Sequence, residues 1–134
     1  MSIYKLFTTT DGDGAASLDV IANGTITGVL FSGYAILAVD NDSFEAEVSF
    51  SSTSGFATND TKSSIAKVAS QSAVSTAESA QMGINVMISP LEIPVTQGER
   101  LYLHTATPSG TPTIRMSAYL YVKDRVGSPR RTRQ

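Results

Sequence analysis

Cysteine and tryptophan are both missing from this chain, and each absence removes a class of chemistry. Without cysteine there are no disulfides, no thiolate metal ligands and no thiol nucleophile. Without tryptophan, and with only five tyrosines and five phenylalanines, little apolar area is available to offset the entropy of ordering a small domain. Burial between subunits would add to it. Histidine occurs once, as His104, so a zinc site would have to draw its other ligands from carboxylates, and no sequence cluster supplies them. No long apolar run is present either. The longest, Val29 to Val39, is interrupted by Ser32 and Gly33 and is far shorter than the roughly 20 residues that span a bilayer, so no membrane partner is expected. Met1 to Thr10 carries one lysine and no apolar h-region, which speaks against a secretory signal and for synthesis in the cytoplasm.

What is present suits one water-soluble domain. The 134 residues fit a single core, and 41% hydrophobic residues is an ordinary fraction for a soluble protein. Charge is unevenly spread. Residues 1–122 hold five basic and eleven acidic side chains, a net −6, whereas residues 123–134 hold five basic and one acidic, a net +4. The reading is an acidic domain over 1–122 followed by a basic arm over 123–134.

Hydrophobic periodicity predicts strands almost throughout. Ile3 to Thr9 is rich in β-branched and aromatic residues and runs into the turn residues Asp11-Gly12-Asp13-Gly14. Ser17 to Ile21 is a short strand closed by Asn23-Gly24, a pair suited to a tight turn. Thr25 to Val39 has apolar residues on both parities, as in a strand covered on both faces or crossing an interface, with Gly28 and Gly33 marking bulges or a bend. After the turn cluster Asp40-Asn41-Asp42-Ser43, Phe44, Ala46, Val48 and Phe50 alternate with Glu45, Glu47 and Ser49, predicting a hairpin with one buried face. Residues 51–81 form a Ser/Thr/Ala-rich excursion, in which Asn59 or Asp60 would cap a short helix through Thr61 to Ser70 with Ile65 and Val68 inward. Strands resume at Met82–Ser89, Leu91–Val95 and Arg100–Thr105, with a turn at Gln97-Gly98-Glu99 and a loop over Thr107–Pro112. The last strand, Thr113–Val122, puts Ile114, Met116, Ala118, Leu120 and Val122 on one face. The fold class expected is all-β: an antiparallel β-sandwich, jelly-roll-like.

Candidate chemistry reduces mostly to β-structure. His104 reads as a histidine on a strand face, and no Gly-x-Ser-x-Gly elbow accompanies it. Asp11 with Asp13, and Asp40 with Asp42, have calcium-loop spacing, but the twelfth positions are Ala22 and Ser51, which favours turns. Glu45 and Glu47 resemble a glycosidase pair in spacing, yet their alternation with apolar residues reads as a solvated face. No phosphate-cradling or dinucleotide glycine motif follows a strand, so no cofactor, metal or catalytic residue is assigned. Arg125, Arg130, Arg131 and Arg133 are the residues expected to bind a partner, since arginine pairs bidentately with carboxylates and phosphates. The acidic body would repel a nucleic acid and the arm has no aromatic for base stacking, so an acidic protein surface is the expected target and nucleic acid is not.

The segments Gly24 to Phe31, Glu45 to Thr53 and Gly98 to His104 resemble small bacteriophage virion proteins of the head-decoration or cement type. The resemblance implies a non-enzymatic protein of the virion that self-associates, as a homotrimer, and binds the major capsid protein or another virion protein. A carbohydrate- or host-surface-binding module of a tail or fibre is the alternative. That alternative needs an exposed aromatic platform, which a composition of few aromatics disfavours.

Overall fold

The computed structural model describes residues 2–10, 14–37, 43–52, 64–71, 80–109 and 113–124. They contain nine strands: β1 Ser2–Thr10, β2 Gly14–Asp19, β3 Gly24–Leu37, β4 Ser43–Ser49, β5 Ser64–Gln71, β6 Ala80–Ile88, β7 Ile93–Val95, β8 Arg100–Ser109 and β9 Thr113–Asp124. A front sheet has the order β1-β9-β3-β6, with β7 also on β3, and a back sheet has the order β2-β8-β4-β5. Every pairing is antiparallel.

The pairs β1:β9, β2:β8, β3:β6 and β4:β5 are nested, as in one long antiparallel ribbon folded at its middle and rolled up. This is jelly-roll topology, and the all-β antiparallel sandwich expected from the sequence is the fold observed. The core lies between the sheets. Ile114, Met116, Ala118, Leu120 and Val122 face it from β9 as the alternation predicted, opposite Leu101, Leu103, Ala46 and Val48 of the back sheet. Full burial of Leu120 alone stabilises the fold by roughly 1.5–3 kcal/mol. Phe50, expected in the core, is only half-buried and packs at its margin.

Three expectations about local structure are corrected. The short helix through Thr61 to Ser70 is not formed over the described residues 64–71, which are β5. Ile65 and Val68 have helical spacing, but serine is a weak helix former, and β4 offers backbone partners along Ala46↔Val68, Glu47↔Lys67 and Val48↔Ala66. The hairpin expected between β3 and β4 is also absent. β3 pairs with β9 on one edge and with β6 and β7 on the other, so the chain leaves it for the back sheet. Nor does Gly24 supply a positive φ; a side chain there would collide with Val122 and the Lys123 carbonyl, so glycine permits the close β3–β9 approach. Among the described glycines, the left-handed backbone occurs at Gly98 (φ 96°), in the predicted turn, where Glu99 N donates to Thr96 O at 3.0 Å. A register shift between Ile26 and Gly28 marks the bulge expected near Gly28.

Candidate interaction surfaces

A sandwich built this way has two outer faces, and here they differ in chemistry. On the front sheet, register aligns the outward residues in rows: Lys5–Tyr119–Leu30–Met87, then Ser117–Ser32–Asn85, then Arg115–Tyr34–Gly83. The alternation that turns Val29, Phe31 and Ala35 into the core turns Leu30, Tyr34 and Ile36 out, which explains the apolar residues on both parities of β3. Tyr34, Tyr119 and Tyr121 are half-buried by their neighbours, and the Lys5 ammonium lies 5.5 Å from the Tyr119 ring centroid. Ile3 and Met87, at opposite edges of this face, are 57% and 49% exposed. The charged side chains in outward register on the described front strands are Lys5, Arg115 and Lys123, all cationic on a body of net −6.

The back sheet carries polar groups outward but buries them. Glu47 and Glu45 alternate with core residues as predicted, yet Glu47 is 1% exposed, which corrects its reading as a solvated residue. Burying a carboxylate is costly unless it is paired, and Lys67, its register partner on β5, lies 3.3 Å away. Across the other edge of β4, Glu47 faces His104, also buried. His104 Nε2 donates to the Ser51 carbonyl at 2.9 Å; a carbonyl only accepts, so the contact assigns a proton to Nε2. Ser49 Oγ donates to the same carbonyl at 3.1 Å, and the His104 ring stacks on Tyr102 at 5.9 Å between centroids. His104 is therefore on a strand face, as expected, and ties the chain after β4 to β8. At the end of β2 the exposed Arg100 donates to Asp19 at 2.8 Å, and this hydrogen bond raises its already high pKa.

The four arginines expected to bind a partner, Arg125, Arg130, Arg131 and Arg133, lie outside the described residues, as do Asp11, Asp13, Asp40 and Asp42. β9 runs to Asp124, so Lys123 and Asp124, read as the start of the basic arm, belong to the front sheet, with Lys123 in outward register. Among the described residues, no three histidine or acidic side chains are gathered as metal ligands. Nor is any described helix long and apolar enough to cross a membrane. The outward rows of the front sheet were not legible as a site in the sequence, because the residues composing each row come from three or four distant strands. The apolar residues on both parities of β3 and the alternation along β9 were the parts of it that could be read.

Neither a known family model nor a curated protein matches this chain. Among solved structures, Eiger TNF from S. frugiperda is similar at a TM-score of 0.51 and 8% identity, covering 97% of this chain and 99% of that one. The VP2 subviral particle of infectious bursal disease virus aligns with a TM-score of 0.44 and 14% identity, over 90% of this chain and 33% of that one. The T13 particle of the same virus aligns at 0.39 and 12% identity, over 92% and 31%. At 8% identity the similarity to Eiger TNF concerns the fold alone.

Proposed function

We propose that this chain is a virion structural protein that decorates or cements a bacteriophage capsid through protein–protein contacts, with no catalytic centre of its own. One observation carries the reading: an outer face of tyrosine, leucine and methionine whose outward charges on the described strands are all cationic, on a body that is otherwise acidic. Aromatic and apolar residues ringed by charge of one sign fit a protein surface of the opposite sign, where burial gives affinity and charge gives register. The front face thus docks on an acidic surface of the major capsid protein or another virion protein. Arg125, Arg130, Arg131 and Arg133, which follow β9 in the sequence, carry the same sign of charge and belong to this reading. Self-association belongs to the reading too, with a homotrimer as the expected state. A glycan platform fits less well, because Tyr34, Tyr119 and Tyr121 are half-buried and Lys5 overlies one ring.

The test is cosedimentation with capsid shells assembled without this protein. Wild type should pellet with the shells, deletion of residues 125–134 should weaken pelleting, and Lys5→Glu with Arg115→Glu should abolish it. If the charge-reversed protein pellets as well as wild type and has lost only salt-sensitive DNA binding, the face serves nucleic acid and the reading is wrong.

A further inference from the structure

Five strands border the two sheets, and they are not equally protected; β7, beside β6 on β3, is three residues long and contains Pro94. An open edge presents unpaired N–H and C=O groups, which proteins ordinarily guard with charge, proline, bulges or short length. β1 carries Lys5; β5 carries Lys67 and a register shift at Val48/Ser49; β2 is six residues long and ends at Asp19. β6 has none of these guards. It spans nine residues, contains neither charge nor proline, and pairs with β3 from Ile88 to Ala80 without a shift. Among the described residues β3 is its one neighbour in the sheet. Beneath this edge, between the two sheets, lies a cleft of about 310 Å³ lined by Phe44 and Val68 of the back sheet and by Ile84 and Val86 of β6. Val86 has the core-facing parity of Phe31, its register partner, yet is 41% exposed over that cleft.

We infer that β6 pairs antiparallel with β6 of a second copy of this chain, about a two-fold axis at Asn85. The strand is self-complementary in that register. Outward, Met87 of each copy lies opposite Gly83 of the other, where the missing side chain leaves room, and Asn85 meets Asn85 as an amide pair. Inward, Ile84 lies opposite Val86, so the two exposed valines close the two clefts into one shared apolar core. Within the paired strands no like charges meet, since residues 79–91 carry none. The result is one front sheet continuous across two copies, an isologous contact that closes on itself. The pairing stands independently of the virion reading, and it uses a different surface from the cationic face. A trimer built elsewhere on the molecule would become a hexamer through it.

The absence of cysteine makes the experiment direct. Directly opposed residues of an antiparallel pair have Cα atoms about 4.5–5.5 Å apart, within disulfide reach. Purified Asn85→Cys, oxidised at micromolar concentration, should convert mainly to a disulfide-linked dimer. Ser17→Cys, exposed on the back sheet, should stay largely unlinked. In parallel, Val86→Lys should halve the mass of the assembly by light scattering while leaving its circular dichroism unchanged. Linking of Asn85→Cys no greater than that of Ser17→Cys, or an assembly mass unaffected by Val86→Lys, would overturn the self-pairing and leave the edge to a strand from a different protein.

Discussion

The two outer faces of this jelly roll invert the usual expectation about which residues face water. On the front sheet, leucine, methionine and tyrosine point outward and are half-exposed; on the back sheet, glutamate, serine and histidine point outward and are buried. Strand alternation is the same on both sheets, so parity alone does not set exposure. What differs is how the outward groups are held. The back face is tied together internally, through Glu47–Lys67, His104–Ser51 and Ser49–Ser51. On the front face Lys5 lies on Tyr119 and Thr27 Oγ1 donates to the Tyr121 carbonyl at 3.2 Å, while Leu30, Ile36 and Met87 offer apolar surface. Polar groups with partners inside the chain stabilise the monomer, whereas an apolar face beside exposed cations is suited to a partner from outside.

This contrast breaks most readily at Lys67. Lys67→Met removes the cation beside a buried carboxylate and should destabilise the fold by about 2 kcal/mol. That is less than the roughly 3–5 kcal/mol for a fully buried pair, because Lys67 is 33% exposed. Urea titration measures it, and the double change with Glu47→Leu should recover most of the loss. A shift below about 0.5 kcal/mol would mean that the back face is not a stabilising network. A smaller effect of opposite sign is expected on the inner side of the same sheet. Thr105 is 2% exposed and its Oγ1 has no hydrogen-bond partner among the described residues, so Thr105→Val should raise stability by about 1 kcal/mol. An unchanged or lower midpoint would show that the hydroxyl is satisfied. Smallest in stability is the front face. Arg115→Glu should move the folding free energy by less than about 0.5 kcal/mol, as for most exposed positions, while reducing shell binding. A large loss of stability there would erase the distinction between the faces.

Much of the fold was legible because alternation is a local signal. β1, β4 and β9 were predicted within a residue or two at each end, and the core face of β9 was right at every position. β5 was missed because Ile65 and Val68 satisfy a helical period equally well, and the partner that decided the matter, β4, is distant in sequence. The β3–β4 hairpin failed for a related reason: a turn cluster says that the chain reverses, not whether the next strand pairs with the last or crosses to the other sheet. Of the candidate surfaces, the charge-free run that becomes the β6 edge was visible in composition, but its position at an open edge was not.

By itself, the sequence determined that the protein is a cysteine-free, all-β domain with an acidic body and a basic end. Composition and period-two alternation suffice for that, since each depends only on neighbouring residues. Tertiary structure alone decided that Glu47 is buried, that Lys5, Tyr119, Leu30 and Met87 form one row, and that β6 has β3 as its one described neighbour in the sheet. Each of these depends on which distant strand lies alongside, and jelly-roll pairing joins the first strand to the last, so the contacts that define both faces have no local trace.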